Sequence, residues 1–163
     1  MARAAVLTVS DSRAAGARAD ESTALIAGVL AAAEIEVVTT RLVGDEHDDI
    51  AAALVELAAS ADLVLTCGGT GLAPRDVTPE ATRSILDREA PGLAEAMRAE
   101  TARITPQAWL SRAVAGQRGR ALIVNLPGSP KGAIECLEVL LPLLPHALAV
   151  GEGGGEGGHA HGR

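Results

Sequence analysis

Two short glycine-containing segments carry the residue types best suited to binding a charged ligand. The first, CGGTG at 67–71, ends one apolar run, and the second, NLPGSP at 125–130, ends another. Short apolar runs that end in glycine and precede a helix are typical of buried parallel strands, whose carboxyl ends form the ligand-binding edge of an open α/β sheet. Glycine-rich loops there expose backbone N–H groups, which bind phosphate. The two segments therefore predict a site for a phosphate-containing small molecule.

Two aspartates, Asp45 and Asp76, are expected near these segments. Asp76 follows Gly71 by five residues, and Asp45 follows the second predicted strand. Carboxylates repel a polyphosphate unless a divalent cation lies between them, and Mg²⁺ commonly uses one or two carboxylates together with substrate phosphates. The pair fits metal-assisted phosphoryl or nucleotidyl transfer. From spacing alone, a turn or helix cap explains Asp45 better than a catalytic role does. For Asp76 the cap explanation is weaker, because Thr78 occupies the expected cap position.

Other catalytic arrangements are poorly supported by the sequence. The phosphate-loop motif with its lysine and the dinucleotide-binding glycine fingerprint are both absent. Ser10 and Ser111 lack a histidine at the spacing of a hydrolase triad. Cys67 and Cys136 have no metal-ligand spacing, so we expect buried, reduced thiols.

Composition limits the class of protein. The chain of 163 residues suits one domain, and 48% hydrophobic residues suffice for a core, which must be aliphatic because Phe and Tyr are absent. A net charge of −7 argues against nucleic-acid binding. No apolar stretch reaches the roughly 20 residues that span a bilayer, and the N-terminus lacks a signal-peptide pattern. A cytoplasmic protein without membrane association is the simplest interpretation.

The pattern of apolar runs predicts alternating strands and helices. We expect strands at 4–9, 36–43 (nearer an edge), 62–67 and 121–125. Helices are expected at 20–33, around 50–57, and from 78, 91 and 130. The first helix has an apolar stripe of Leu25, Ile26, Val29 and Leu30, and the segment 117–120 resembles a turn. Thr78 and Ser129, each followed by proline, predict helix N-caps.

Together these elements predict a three-layer α/β/α sandwich with a mostly parallel central sheet. We expect one domain over residues 1–150 and a disordered Gly/His-rich tail at 151–163. The ends of the first, third and last strands are expected side by side. That arrangement would bring Ser10, the glycine segment and the proline-glycine segment together.

Five short motifs occur in an order that resembles a known family. They are TVSD at 8–11, GGTG at 68–71, DVTPEAT at 76–82, LSR at 110–112 and NLPGSP at 125–130. Each motif is moderately specific, and five in register are strong evidence. Over residues 4–150 the chain closely resembles the molybdopterin adenylyltransferase family, which includes bacterial Mog and MoaB proteins and the G domains of plant Cnx proteins and gephyrin.

The resemblance implies a molybdopterin-binding-like fold and a specific reaction. In the family, Mg²⁺ and ATP are used to join AMP to molybdopterin, pyrophosphate is released, and a separate protein then inserts molybdate. Members are typically homotrimers. The resemblance also implies that Asp45 and Asp76 are catalytic and metal-associated. The residues expected to contact substrate are Ser10, Asp11, Gly68, Gly69, Thr70, Gly71, Thr78, Ser111, Asn125, Pro127, Gly128 and Ser129.

Three alternatives remain open at this stage. Some MoaB-type members bind molybdopterin or act as scaffolds without catalysis, although the presence of both aspartates favours an enzyme. Related domains of MoeA and CinA proteins carry different glycine loops, and Thr70 together with the TPE helix start at 78–80 argues against both. A general nucleotide-binding module would leave Ser111 and the second loop unexplained.

Overall fold

A computed structural model of the chain describes residues 1–17 and 20–153. Within these residues, six strands form one sheet: β1 (Ala2–Val9), β2 (Ile35–Val43), β3 (Leu63–Cys67), β4 (Arg88–Glu89), β5 (Ala115–Arg118) and β6 (Ala121–Leu126). The helices of the same residues are α1 (Asp11–Ala14), α2 (Glu21–Ala32), α3 (His47–Ala58), α4 (Thr78–Ile85), α5 (Pro91–Thr101), α6 (Pro130–Leu140) and α7 (Leu144–Gly151), with a 3₁₀ helix at Pro106–Leu110. The disordered tail was predicted from residue 151, but Gly151 is the last residue of α7, and from residue 154 onward the predicted tail lies outside the described residues.

The strands follow the order β2-β1-β3-β6-β5-β4 across the sheet. Strands β2, β1, β3 and β6 are mutually parallel, whereas β5 and β4 extend the sheet with antiparallel pairing. The carboxyl ends of β1, β3 and β6 are therefore neighbours, as expected. The prediction that the second strand lies near an edge is also confirmed.

The central strands are mostly apolar because both faces of the sheet are covered by helices, and the polar residues Thr8, Thr66 and Asn125 are the buried exceptions. Along β1, alternate side chains enter two separate cores, with Val6 on one face and Leu7 on the other. Helices α2, α5, α6 and α7 contribute to the first core, and α3 and α4 to the second; their central residues are Ile26, Met97, Leu137, Leu148, Leu54 and Ala81. This is the predicted three-layer α/β/α sandwich.

The two predicted helix caps have different outcomes. Ser129 caps α6, since its side chain accepts a hydrogen bond from Gly132 N at 3.2 Å. The prediction for Thr78 is wrong: Val77 is the N-cap of α4, and Thr78 is already the first helical residue. Its backbone N–H donates to Gly69 O at 3.1 Å, so the glycine segment satisfies a helix-end donor that a cap side chain would otherwise bind.

Two further predictions are corrected by the structure. The predicted turn at 117–120 is too long, because Gln117 and Arg118 belong to β5 and pair with β6, and Gln117 also pairs with β4. Leu25, assigned to the apolar stripe of α2, is 49% exposed, whereas Ile26 and Leu30 are buried. Local sequence did not reveal that the turn is shorter than predicted, nor that Leu25 lies on the exposed side of α2.

No single helix in the described part of the chain has the length and apolar character needed to cross a membrane. Helices α6 and α7 meet those criteria only as a pair, by length and composition, and they are bent by 70° relative to each other.

Candidate active site

The loops after β1, β3 and β6 meet through their backbones. A side chain at Gly68 would collide with the carbonyl oxygen of Val9, and one at Gly128 would lie 3.2 Å from the Cα of Gly68. Gly68 also has φ +107, which residues with a Cβ rarely adopt. Its N–H donates to Leu126 O at 3.1 Å. Glycine at position 68 is therefore required for the strand ends to converge, and glycine at position 128 permits their close approach.

Two adjoining cavities open at this edge of the sheet. The large cavity has a volume of about 510 Å³ and a mainly apolar wall that includes Met97, Leu110 and Cys136. The small cavity, of about 310 Å³, is more polar. Gly69, Asp76, Gly128 and Ser129 line both cavities, so the two glycine-containing segments form their common boundary.

Twelve of the fourteen predicted site residues line one or both cavities. Ser10, Asp45 and Gly68 line the small cavity alone. Thr70, Gly71, Ser111, Asn125 and Pro127 line the large cavity alone. The two that line neither are Asp11 and Thr78.

The two candidate catalytic carboxylates flank the glycine segment. Asp45 Oδ1 would lie 3.3 Å from a Cβ at Gly69, and Asp76 Oδ2 would lie 2.8 Å from a Cβ at Gly71. Ala73 N donates to Asp76 Oδ2 at 3.2 Å and orients that carboxylate. Burial raises the pKa of Asp45, and the nearby negative charges of Asp11 and Asp76 raise it further. The arrangement concentrates negative charge beside the predicted phosphate loop.

Asp11 is occupied by contacts within the protein. Its carboxylate accepts hydrogen bonds from Arg75 Nε at 2.7 Å and from Asp45 N at 2.8 Å. The hydrogen bond from Arg75 is the main reason that the pKa of Asp11 is lowered. Arg75 also pairs with Glu46 at 2.9 Å. Asp11 thus positions the turn that carries Asp45, and a contact between Asp11 and substrate stays a prediction.

Two other predicted contacts, Thr78 and Asn125, have fully buried side chains. Asn125 Oδ1 accepts from Val114 N at 3.1 Å, and its Nδ2 donates to Thr66 and Thr82, both at 3.0 Å. The Thr78 hydroxyl lies beneath Gly69, where it would clash with any side chain added there. Both side chains support the loops from beneath, and a contact of either one with substrate stays a prediction.

Arg112 is a positioning residue that the sequence analysis did not single out. Its Nε donates to Gly71 O at 2.7 Å, its Nη2 to Asp76 O at 2.6 Å, and its Nη1 pairs with Glu80. Its backbone N–H donates to Thr70 O at 2.9 Å. The LSR motif contains Arg112, but sequence alone could not show that one guanidinium joins the glycine segment to the Asp76 loop.

The donor set suits magnesium better than a transition metal. The described residues contain no group of three or more His, Cys, Asp or Glu side chains arranged to hold a metal ion. Asp45 and Asp76 do line the same small cavity. Mg²⁺ prefers oxygen ligands and often takes one or two carboxylates, completing its shell with water and substrate phosphate. The two aspartates therefore fit that ion.

Residues 5–146 match the family model described as "Probable molybdopterin binding domain". The chain belongs to this family. Its molybdopterin-binding domain also superimposes on solved structures along nearly its whole length. The molybdopterin biosynthesis enzyme MoaB of Thermus thermophilus gives a TM-score of 0.89 at 57% identity, covering 94% of this chain and 98% of that one. The Mog protein of Mycobacterium ulcerans gives 0.87 at 38% identity, with 93% and 99% covered.

Curated relatives of this domain carry the name molybdopterin adenylyltransferase. The protein of Helicobacter pylori strain J99 is 45% identical over 109 residues, which is 66% of this chain and 62% of that protein. The protein of Escherichia coli strain K12 is 52% identical over 101 residues, which is 61% of this chain and 52% of that protein. The alignments thus span between half and two thirds of these relatives. The family predicted from the five motifs is confirmed.

Proposed function

We propose that this molybdopterin-binding domain is a nucleotidyltransferase of molybdenum cofactor biosynthesis that adenylylates molybdopterin. The observation that carries the proposal is the position of Asp45 and Asp76, both at the small cavity and both beside the glycine segment. At a site that only binds an anion, two carboxylates in the wall would repel the ligand. The names of the curated relatives support the same activity.

The reaction moves AMP from ATP to the terminal phosphate of molybdopterin. An oxygen of that phosphate forms a bond to the α-phosphorus of ATP. The bond from the α-phosphorus to the bridging oxygen breaks, and pyrophosphate leaves with the electron pair. Such transfers depend mainly on alignment of the reacting groups and neutralisation of charge.

The residues of the two cavities have distinct tasks in this reaction. Backbone N–H groups of the glycine segment and the amino end of α6 at Ser129 bind phosphate oxygens. The hydroxyls of Ser10 and Ser111 contribute further hydrogen bonds from the small and the large cavity. Asp45 and Asp76 would hold Mg²⁺, which when bound neutralises charge on the triphosphate.

The large cavity suits a flat heterocycle. Its wall combines apolar side chains such as Met97 and Leu110 with a few polar groups, among them Ser111 and Arg98. Ligand cavities of several hundred cubic ångströms with this mixture bury most of a small organic molecule. Both the pterin and the adenine ring have the required shape.

The family resemblance also supports proposals about assembly and location. We expect a cytoplasmic homotrimer that passes its product to a separate molybdate-insertion protein. Light scattering of the purified protein tests the assembly, since a trimer has three times the 16.5 kDa of one chain. A mass of one chain at working concentration would contradict the trimer without affecting the proposed reaction.

Release of pyrophosphate from molybdopterin and Mg-ATP tests the proposed activity. We expect turnover by the unaltered protein and loss of nearly all turnover in Asp76→Asn. Asp48→Asn is the matched control, because Asp48 is exposed at the start of α3 and pairs only with His47 among the described residues. Tight molybdopterin binding without pyrophosphate release would instead assign the MoaB-type, non-catalytic binding or scaffold function.

A further inference from the structure

Arg13 is a buried cation at the wall of the small cavity. The residue belongs to α1, directly after β1, and is 7% exposed. Its Nη2 donates to Gly128 O at 3.3 Å, in the loop that closes the cavity. Its Nε is buried without a hydrogen-bond partner. A guanidinium carries five N–H donors, so this side chain has capacity that the described residues do not use.

The positive charge of Arg13 has no close counter-ion in the described part of the chain. None of the ion pairs found there includes Arg13. Asp20 is an acidic group near enough for the charge of Arg13 to help lower its pKa. The Asp20 carboxylate is hydrogen-bonded to the hydroxyls of Thr8 at 2.9 Å and Thr23 at 2.6 Å, so it offsets the charge of Arg13 only from beyond ion-pair distance. Buried charges are normally paired, so this exception requires an explanation.

The surroundings of Arg13 favour an anion. Ser10 lines the same cavity, and its hydroxyl oxygen accepts from the backbone N–H of Arg13 at 3.3 Å. The amino end of α6 begins at Ser129, on the same wall as Gly128. Asp45, by contrast, borders Gly69. The cavity therefore has a positive side at Gly128 and a negative side at Gly69.

We propose that Arg13 contacts substrate directly by binding a phosphoryl oxygen in the small cavity. The inference rests on the proposed function in taking a phosphoryl group as the anion. That group is the phosphate monoester of molybdopterin or part of the triphosphate of ATP. In either case the ligand supplies the direct ionic partner that the guanidinium lacks among the described residues, and planar guanidinium groups bind phosphate through paired hydrogen bonds.

Calorimetric titration of binding, without turnover, tests the contact. The titrants are inorganic pyrophosphate, molybdopterin and uncharged adenosine, and the proteins are the unaltered chain, Arg13→Gln and Arg41→Gln. Arg41 is the control because it pairs with Glu56 and lines neither the large nor the small cavity of the site. We expect Arg13→Gln to weaken pyrophosphate or molybdopterin binding by about tenfold or more and to leave adenosine binding unchanged.

The pattern of losses identifies the source of the anion. A loss confined to pyrophosphate assigns Arg13 to the triphosphate of ATP, and a loss confined to molybdopterin assigns it to the monoester. Affinities within about twofold for both charged ligands would overturn the proposal. An equal loss for adenosine would also overturn it, because a purely structural role through Gly128 weakens charged and uncharged ligands alike.

A measurement on the unaltered protein removes dependence on the folding of the variant. The guanidinium ¹⁵N–H signal of Arg13, assigned by its absence in Arg13→Lys, should shift on saturation with pyrophosphate or with molybdopterin. No shift with either ligand would overturn the proposal. Anion binding through Arg13 in a protein that never releases pyrophosphate would refute the proposed reaction alone. Normal turnover with unchanged binding in Arg13→Gln would refute the role of Arg13 alone.

Discussion

Asp11 and Asp45 exchange two hydrogen bonds, each carboxylate accepting from the backbone N–H of the other residue. The distances are 2.9 Å to Asp45 Oδ2 and 2.8 Å to Asp11 Oδ1. The exchange joins the loop after β1 to the turn after β2. The negative charges of the two carboxylates repel each other, but Arg75 pairs with Asp11 and offsets its charge. Asp45 is thereby held at the small cavity.

This placement predicts opposite effects of Asp45→Asn on stability and on turnover. Burial, with the charges of Asp11 and Asp76, raises the pKa of Asp45 above its ordinary value of 3.8. The folded state then binds the proton more readily than the unfolded state, so stability falls as pH rises through this range. Removing the charge should raise the melting temperature at pH 7, and the difference should vanish toward pH 3. Turnover should fall at least about tenfold, roughly 1.4 kcal/mol.

Calorimetric melting curves across pH and the pyrophosphate assay measure the two effects of Asp45→Asn. Asp48→Asn provides the comparison, since that exposed side chain should leave turnover unchanged and should not raise the melting temperature. A lower melting temperature for Asp45→Asn at pH 7 would show that its charge stabilises the fold.

Gly69→Ala should abolish ligand binding. Gly69 has φ +70, and an added Cβ would clash with the Thr78 hydroxyl and lie 3.3 Å from Asp45 Oδ1. The loop must move to relieve the clash, which displaces the backbone N–H groups from the phosphate. Gly28→Ala is the control, because a Cβ there meets nothing within 4 Å inside α2 and should stabilise the helix by up to about 1 kcal/mol. Titration with Mg-ATP measures the affinity of both variants. Equal affinities of Gly69→Ala and Gly28→Ala for Mg-ATP would contradict the role of the loop.

The sequence predicted the parallel half of the sheet and missed the antiparallel edge. Strands β1, β3 and β6 were predictable because burial on both faces requires continuous apolar runs. Strand β5 (Ala115–Arg118) and the two-residue β4 (Arg88–Glu89) contain small or charged residues, and their pairing depends on each other rather than on local pattern. Gly116 illustrates this dependence, since its need for glycine comes from the carbonyl of Arg88 across the pair.

Gly116→Ala should therefore destabilise the protein, although Gly116 lines neither the large nor the small cavity of the site. A Cβ would collide with Arg88 O and lie 2.6 Å from Leu86 Cδ1. Overpacking of this kind costs about 1–3 kcal/mol. Urea denaturation measures the loss, with Gly28→Ala again as the control. An unchanged free energy of unfolding would indicate that β4 can move away from β5 and accommodate the added side chain.

The loops and the two aspartates of the site could be predicted from the sequence, but the residues that hold them in place could not. Short motifs indicated the glycine loops and the two aspartates. The hydrogen bonds from Asn125 Nδ2 and those from Arg112 to Gly71 O and Asp76 O join residues 36 to 59 positions apart, which no local pattern encodes. The sequence assigned no role to Arg13, because an arginine after a strand is usually exposed to solvent. Only the structure shows that Arg13 is buried.

Arg112→Lys should reduce kcat more than it weakens binding. Lysine keeps the charge but cannot bridge Gly71 O and Asp76 O at once, as the guanidinium does. The Asp76 loop would lose its alignment with the glycine segment, and we expect a fall in kcat of about tenfold. Arg103→Lys is the control, because Arg103 is exposed and pairs with Glu100 at 3.5 Å. Steady-state kinetics would contradict this role if only KM changed.

Transfer of label from α-³²P-ATP tests the central claim most directly. The purified protein is mixed with molybdopterin, Mg²⁺ and labelled ATP in a single turnover, and the products are separated. We predict label on the pterin in stoichiometric amount for the unaltered protein and almost none for Asp76→Asn. If the label stays with ATP while the protein demonstrably binds both substrates, the proposed adenylyltransferase activity is contradicted.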